Sequence, residues 1–126
     1  MSEPIWITRE ECVVVHEMLL AQFGGLAGVR DEGLLLSALD RPKNLHAYEK
    51  PRLAEKAASL ASGIILNHPF NDGNKRTGFL LAAIFIETNG HPFVASEESA
   101  LEKTLSLAAR EINEKEYANW LSQNMK

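Results

Sequence analysis

An eleven-residue polar stretch lies near the middle of the chain, between two strongly helical and apolar segments. It combines an imidazole, a carboxylate, side-chain amides, two adjacent cations and glycine, in the order His68-Pro69-Phe70-Asn71-Asp72-Gly73-Asn74-Lys75-Arg76-Thr77-Gly78. Loops that carry function are typically positioned by a rigid scaffold, and both ends of this loop join predicted helices. The pattern therefore predicts a firmly held loop, in which the side chain of Phe70 is buried and anchors the loop to the core.

The two flanking segments predict the core of the fold. The segment before the loop predicts an alanine-rich central helix over about 53–67, and Gly63 inside it indicates a tight helix crossing, since an interior glycine costs roughly 1 kcal/mol relative to alanine. The segment after the loop predicts a helix over about 74–88 that is apolar nearly all round, which is typical of a buried helix. Gly90 suits a left-handed position at its C-terminal end.

Two helices are predicted before the central pair. Thr8 and Glu11 form a capping-box pattern that begins a helix reaching about residue 22, with Val14 and Met18 on its apolar stripe. Asp31 is expected to cap a second helix. Pro42 is expected to end it, which leaves 42–51 irregular, as a plain connection or as a flap over a site.

Two more helices are predicted after the central pair. Ser96 caps one, with Leu101, Leu105 and Ala108 on its inner face. Asn113 with Glu116 forms a second capping box before the other. The extended stretch 91–94 is expected to pair with the opening segment 5–7. Together these patterns predict an all-α fold, a compact bundle of about six helices that forms a single domain over 1–126.

Composition and charge exclude several functions. A chain of 126 residues fits one domain, and its net charge of −4 with scattered basic residues argues against direct nucleic-acid or anionic-membrane binding. The single cysteine, Cys12, cannot form an internal disulfide and is expected near the core, which suits a reducing compartment. No signal-peptide pattern opens the chain, and no apolar run approaches the ~20 residues that span a bilayer. We therefore expect a cytoplasmic protein.

The loop has the chemistry of an anion site. It leads into the N-terminal end of a helix, where free backbone N–H groups and the positive end of the dipole attract anions. Gly73 would let a phosphate approach the backbone without meeting a Cβ, and Asn74 can donate to a phosphate oxygen. Lys75 and Arg76 place two cations in the first helical turn, where the dipole disfavours them unless an anion is bound.

Two titratable side chains in the loop extend this chemistry. Asp72 can hold Mg²⁺, which prefers one or two carboxylates together with substrate phosphates. His68 has a pKa range suited to taking a proton from a hydroxyl nucleophile. Simpler roles exist for each residue: Asp72 as the N-cap of the following helix, His68 as a cap of the preceding one, and the cations as solvated side chains. These roles do not explain why all of these groups coincide in one loop.

Two earlier features have structural rather than catalytic interpretations. Three glycines between Phe23 and Val29 indicate backbone at positive φ. A turn and helix cap is favoured over a phosphate cradle, because the Gly-Lys-Ser/Thr ending of a P-loop is missing. His16 is expected to be a surface or packed histidine rather than a metal ligand, because no partner lies at ligand spacing.

The stretch from His68 to Arg76 resembles the signature of the Fic/Doc family, and most closely its Doc (death-on-curing) branch, in which a lysine follows the asparagine. The glycine-rich segment 24–28, the segment 47–49 and the pair 89–90 are also similar to that branch. The resemblance implies a small helical core and an ATP-dependent enzyme. Fic proteins transfer AMP to a protein hydroxyl, whereas Doc toxins transfer the terminal phosphate, with a threonine of elongation factor Tu as known target.

The resemblance also implies roles for individual residues. By position, His68 would be the general base and Asp72 would bind Mg²⁺. The phosphates of ATP would be held by Gly73, Asn74, Lys75 and Arg76. Lys75 and Arg76 would also take part in catalysis. The stretch from about 44 to 50 would be the flap that docks the target segment.

Two departures from the Fic pattern favour phosphate transfer over AMP transfer. Fic enzymes have a glycine at the position of Lys75, where a lysine crowds the phosphate site. They have a second arginine at the position of Phe79, so a clamp on the distal phosphates is lost here. The alternatives are AMP transfer on the same scaffold and a non-catalytic module that binds phosphate or a partner.

The resemblance further implies a partner. Self-inhibited Fic proteins carry a Ser/Thr-x-x-x-Glu-Gly/Asn segment, and no such segment occurs in this sequence. We therefore expect inhibition in trans by a Phd-like antitoxin, whose C-terminal segment folds into a groove on this protein.

Overall fold

The computed structural model describes residues 3–48 and 50–126, and its architecture is a bundle of six helices. Within those residues the extended pairings are isolated bridges, and no strand is formed. This confirms the predicted all-α fold. The helices are α1 (Arg9–Phe23), α2 (Glu32–Tyr48), α3 (Leu53–Asn67), α4 (Asn74–Thr88), α5 (Glu97–Ala108) and α6 (Glu114–Gln123).

Helix α3 is the centre of the bundle, and it packs on α2, α4 and α6. Its residues from Ala54 to Ile65 are buried almost without interruption. A Cβ added at Gly63 would lie 2.8 Å from the Cβ of Ala38 on α2, so only glycine permits this approach of the two helices. The predicted tight crossing is confirmed, and a larger residue at Gly63 would push α2 away from α3.

Helix α4 packs against α3 and carries the other half of the core. Leu81, Ala82, Phe85 and Ile86 are completely buried. Helices α3 and α4 have the predicted bounds, because a left-handed residue ends the first and a left-handed glycine begins the second. Burial at both ends of the loop between them gives that loop two rigid supports.

Side-chain caps begin four of the helices as predicted. At the start of α2, the carboxylate of Asp31 accepts a hydrogen bond from the backbone N–H of Leu34. Thr8 and Glu11 form a complete capping box at α1, and Asn113 and Glu116 form another at α6. Ser96 accepts a hydrogen bond from the backbone N–H of Ser99 at the start of α5. Each such cap satisfies an N–H group that has no partner inside its helix.

The predicted end of the second helix at Pro42 is wrong. Pro42 lies inside α2, which continues to Tyr48, so the stretch expected to be irregular is helical over 42–48. An interior proline costs about 3 kcal/mol, and the buried ring of Pro42 together with the extensive packing of α2 on α3 offsets that cost. Of the predicted flap, 44–48 is thus the last part of a helix, and Glu49 lies outside the described residues.

The inward faces of α1 and α5 also differ from the prediction. Cys12 and His16 are the buried residues of α1, whereas Val14 and Met18 are exposed. The prediction that Cys12 is a core thiol is confirmed, and its burial raises the pKa of the thiol to about 12.

On α5, Thr104 and Leu107 are buried, whereas Leu101 and Leu105 are exposed. Apolar periodicity selected the wrong stripe on both helices, because the buried stripe of each includes a polar residue with a specific partner, His16 on α1 and Thr104 on α5. The hydroxyl of Thr104 is 3.0 Å from that of Tyr117.

The two extended segments near the ends of the chain do not pair with each other. Phe93 forms an antiparallel bridge with Met125, and the backbone N–H of Ile5 donates to the side chain of Asn89 instead. Among residues 3–48 and 50–126, no helix is long and apolar enough to cross a membrane.

Candidate active site

His68 ends α3 in a left-handed conformation, with φ 53° and ψ 58°. Its backbone N–H donates to the carbonyl of Ile64, and its side chain lies at the surface. A left-handed conformation at a residue other than glycine costs on the order of 1–3 kcal/mol and persists only where the surroundings enforce it. This left-handed conformation turns the chain sharply at His68, the residue predicted to be the base.

Arg30 holds the chain at this turn. Its guanidinium donates to the carbonyl oxygens of Asn67 (2.8 Å) and His68 (2.6 Å). The backbone N–H groups of Arg30 and Asp31 both donate to the carbonyl of Pro69. The last carbonyls of a helix have no partner within it, and here a segment distant in sequence supplies the donors. Sequence reasoning missed Arg30, because nothing local relates it to the loop.

Phe70 anchors the loop to the core of the protein. It is buried, as predicted, and its ring stacks on the ring of His16 with centroids 3.8 Å apart and planes 11° from parallel. His16 is itself buried, and its Nε2 donates to the carbonyl of Asp72 at 2.8 Å. His16 is therefore a packed histidine, as expected, but it packs directly beneath the predicted site.

Asn74 ties the two ends of the loop together. Its side-chain oxygen accepts from the N–H of Phe70, and its amide donates to the carbonyl of Phe70, both at 3.0 Å. The side chain is buried in this arrangement. With both ends of the amide engaged, Asn74 would reach a phosphate through its backbone N–H rather than its side chain.

Asp72 is held by two backbone N–H groups. One oxygen accepts from Gly73 at 2.9 Å and the other from Leu26 at 3.2 Å. The hydrogen bond from Leu26, followed by that from Gly73, holds the pKa of this exposed carboxyl below its usual value. Asp72 is therefore ionised at neutral pH and fixed in orientation. It is not the N-cap of α4, because that position is Gly73.

The glycine-rich segment passes along the loop and shapes it. Gly24 caps α1, which confirms the turn interpretation, and the carbonyl of Gly28 accepts from the N–H of Asn71. A Cβ at Gly25 would lie 3.0 Å from an oxygen of Asp72, and φ at Gly25 is +125°. Glycine at this position thus leaves room for the carboxylate as well as permitting the turn.

The N-terminal end of α4 is open to an anion. Gly73 has φ 75°, and no side chain caps the first N–H groups of the helix. Lys75 and Arg76 are exposed in the first turn, and the guanidinium of Arg76 lies over the ring of Phe23 at 4.1 Å. The positive end of the helix and two cations therefore converge at one place, as the sequence predicts.

These groups form one side of a cleft of about 310 Å³ between α4 and α5. The opposite side is mainly apolar and includes the exposed leucines Leu101 and Leu105. Phe79 forms part of the wall, and its ring packs against Phe93 and Trp120. The full lining comprises Asp72, Gly73, Asn74, Lys75, Arg76, Phe79, Ala100, Leu101, Thr104 and Leu105.

The residues around Asp72 fit a magnesium ion that takes most of its ligands from elsewhere. Asp72 is the one carboxylate in the cleft lining, and the described residues contain no cluster of three or more His, Cys, Asp or Glu arranged for a metal. Mg²⁺ is typically bound by one or two carboxylates, with waters and substrate phosphates completing its shell. An ionised, oriented Asp72 beside an anion site meets that requirement.

The structure groups five of the six predicted site residues in the cleft: Asp72, Gly73, Asn74, Lys75 and Arg76. His68 lies outside the lining, at the other end of the loop. Sequence reasoning missed Arg30, His16 and the N–H of Leu26. Each contacts the loop through backbone atoms or from a distant element, so no local pattern indicates them.

The chain matches the model of the Fic/DOC family over residues 6–86, a range that contains all six predicted site residues. It is 33% identical over 116 residues to a protein named Protein kinase doc from Escherichia phage P1, a match that covers 91% of each chain. It is 46% identical over 89 residues to a protein named Toxin Doc from Mycolicibacterium smegmatis, covering 68% of this chain and 65% of that protein.

Proposed function

We propose that this chain, which belongs to the Fic/DOC family and to its Doc branch, is a toxin that phosphorylates a protein. The reaction transfers the γ-phosphate of ATP to a serine or threonine hydroxyl of a translation protein, with elongation factor Tu as the first candidate. The names of the two relatives support a kinase and a toxin. The observation that carries the proposal is the cleft in which the N-terminal end of α4, Lys75 and Arg76 meet the carboxylate of Asp72.

The phosphates of ATP bind at the N-terminal end of α4. Asn74 contributes its backbone N–H group, Gly73 lets a phosphate approach the backbone because it has no Cβ, and Lys75 and Arg76 contribute positive charge. Asp72 and the phosphate oxygens together would hold a magnesium ion, which when bound offsets negative charge on the phosphates. Fixed donors that need no reorganisation are the main source of rate enhancement in such sites.

His68 acts as the general base. It accepts the proton of the target hydroxyl, whose oxygen forms a bond to the γ-phosphorus as the bond from that phosphorus to the β–γ bridging oxygen breaks, and ADP leaves. A positioned base of this kind contributes typically 10²–10⁴-fold. The surface position of His68 beyond the cleft suits a base that must meet a large protein substrate.

Lys75 and Phe79 support transfer of the γ-phosphate rather than of AMP. Lys75 places a cation where Fic enzymes have glycine, and its side chain narrows the phosphate site. Phe79 replaces the second arginine, and its ring is packed into an aromatic cluster with Phe93 and Trp120. Compared with Fic enzymes, the distal phosphates therefore lack the second arginine, at the position of Phe79, and instead have the cation of Lys75. This change favours an orientation of the nucleotide that differs from that in Fic enzymes.

Mass spectrometry of purified elongation factor Tu after incubation with this protein, ATP and Mg²⁺ tests the proposal. We expect an added phosphate, absent with the variant His68→Ala. An added AMP would replace the proposal by AMP transfer. An unmodified factor, with toxicity that survives His68→Ala, would indicate a non-catalytic binding module.

The proposed toxin requires a Phd-like antitoxin, and the cleft offers a surface for one. Leu101 and Leu105 are exposed on one side of the cleft, and Lys75 and Arg76 on the other, so a segment that presents apolar and acidic side chains matches both sides. Such a segment would block the phosphate site. We expect expression of this protein alone, in the cytoplasm, to stop growth, and co-expression of the antitoxin to restore it.

Leu101→Glu should weaken that rescue, because it places a carboxylate in the apolar half of the cleft. Leu36→Glu, at an exposed leucine of α2, is the control. Equal rescue of both variants would contradict the docking surface but not the enzyme.

A further inference from the structure

A short clasp holds the residue proposed as the base. It consists of residues 28–31, which run antiparallel to residues 67–71, with an isolated bridge between Val29 and Phe70. Backbone hydrogen bonds join the two segments at Gly28 and at Pro69. The side chain of Arg30 reaches the end of α3 from the clasp, through its bonds to the carbonyls of Asn67 and His68.

The geometry at this point requires an external restraint. A helix ends with carbonyls that lack partners, and a residue other than glycine avoids the left-handed region. His68 has both features, since it closes α3 and has φ 53°. A planar guanidinium can donate two parallel hydrogen bonds from fixed positions, which a lysine or glutamine side chain cannot reproduce. The two carbonyls that it binds are consecutive and belong to the peptide groups on either side of His68, so the guanidinium restrains both of these peptide groups.

We propose that Arg30 is a positioning residue for His68: its guanidinium holds the peptide of His68 in the left-handed turn and so directs the imidazole toward the target hydroxyl. The proposal rests on the proposed function, in which His68 is the base. Arg30 touches neither nucleotide nor target in this role. Its side chain is exposed, so replacing it leaves no cavity in the core.

The proposal predicts a specific kinetic pattern. Misplacing a catalytic group by about 1 Å can cost on the order of 10²-fold in rate. The variant Arg30→Gln should therefore lower kcat by about 10- to 100-fold. The KM for ATP should stay within about twofold, because the phosphates bind at the other end of the loop, on α4. A residue that merely stabilised the fold would not separate the two constants.

The matched control is Arg52→Gln. Arg52 is also exposed and also bonds through its guanidinium, to Glu55 and Asn119, but it lies at the opposite end of α3. We expect its kcat and KM to match those of the unaltered protein. Arg30→Lys serves as the second variant if Arg30→Gln does not fold, and it should retain the defect because a single ammonium cannot bridge both carbonyls in the same plane.

A double-mutant cycle with His68→Ala tests whether Arg30 acts through His68. We expect Arg30→Gln to slow phosphate transfer in the unaltered protein and to have no further effect once His68 is alanine. An equal loss in both backgrounds would overturn the proposal while leaving the base in place. A His68→Ala protein that retains full activity would overturn the proposed base itself, a separate failure.

Amide hydrogen exchange gives a readout that needs no activity. The N–H of His68 donates to the carbonyl of Ile64, and it belongs to the same peptide group as the Asn67 carbonyl that Arg30 binds. Its exchange should accelerate at least tenfold in Arg30→Gln, while the amide of Leu60 in the middle of α3 remains unchanged. Unaltered protection at His68 would show that Arg30 does not hold the turn and would overturn the proposal.

Discussion

The two ends of the central loop belong to opposite ends of two helices, and they are built differently. At the end of α3 the backbone presents carbonyls, which Arg30 binds from outside, and His68 projects at the surface. At the start of α4 the backbone presents N–H groups without a side-chain cap, beside Lys75 and Arg76 in a cleft. The carbonyls at the end of α3 have hydrogen-bond donors within the protein, whereas the N–H groups at the start of α4 remain available to a ligand.

This difference assigns different tasks to the two ends. A helix end whose polar groups are satisfied can hold a side chain in a fixed direction, which suits a base. A helix end with unsatisfied N–H groups and positive charge attracts an anion, which suits ATP. Asn74 and His16 connect the two ends, since Asn74 brackets Phe70 and His16 binds the carbonyl of Asp72 beneath them.

The largest effect is expected at the base end. His68→Ala should reduce phosphate transfer by about 10²- to 10⁴-fold, because it removes the proposed general base. Its free energy of unfolding should change by less than about 0.5 kcal/mol, since the side chain is exposed. His91→Ala, at another exposed histidine, is the control. The test is the rate of phosphate transfer by each variant. A His68→Ala rate within threefold of that of the unaltered protein would contradict the assignment of the base to the end of α3.

A smaller effect is expected from the glycine-rich segment that borders the anion end. Gly25→Ala should lower activity about tenfold, because its Cβ would push the carboxylate of Asp72 from a distance of 3.0 Å. Gly24→Ala is the matched control, since φ is also positive there but nothing lies within 4 Å of the added Cβ. Both variants should lose stability through backbone strain, on the order of 1–3 kcal/mol. Equal activities for the two would mean that the position of Asp72 is unimportant.

Asn74→Ala should lower the stability of the fold, and it tests whether Asn74 connects the two ends of the loop. It removes two buried hydrogen bonds to Phe70 and leaves the backbone groups of Phe70 without partners, at a cost of about 1–3 kcal/mol. Urea unfolding measures this loss. Asn44→Ala, on an exposed face of α2, should change stability by less than about 0.5 kcal/mol. If both variants are equally stable, the two ends are not joined through Asn74.

The smallest effect concerns the pH dependence at Asp72. Its pKa is lowered in the folded protein, chiefly by the hydrogen bond from Leu26, so the ionised form stabilises the fold. That contribution is complete above the unfolded pKa of about 4 and is lost as the pH falls through the folded value.

The stability difference between the protein and Asp72→Asn should therefore be constant from pH 7 to 5 and shrink below pH 4. Thermal unfolding over that range measures the difference. A difference that changes between pH 7 and 5 would contradict the assigned shift.

Much of the fold could be predicted from local sequence, and the exceptions have physical causes. The bounds of α3 and α4 followed from apolar pattern and from the glycine and polar residues between them. Pro42 was expected to end α2, but its local cost is outweighed by packing on α3, which no local pattern reveals.

The buried face of α1 was missed for a related reason. His16 is polar, and only its contacts with Phe70 and Asp72, both distant in sequence, explain why it lies inside.

The candidate site divides in the same way. Asp72, Lys75 and Arg76 could be identified because they lie together in sequence and remain together in the cleft. Arg30 and Leu26 could not, because they act on the loop from a separate segment, in part through backbone atoms. The side chain of Asn74 was expected to reach a phosphate, yet it is engaged by Phe70, and this depends on the path of the loop rather than on composition.

The most direct test of the proposed reaction uses ATP labelled at either the α- or the γ-phosphate, incubated with this protein, Mg²⁺ and elongation factor Tu. Lys75 and Phe79, together with the open end of α4, predict that label from the γ position appears on the factor and that label from the α position does not. Transfer of the α label would show that the nucleotide binds in the Fic orientation. It would contradict the central claim that this protein is a phosphate-transferring toxin.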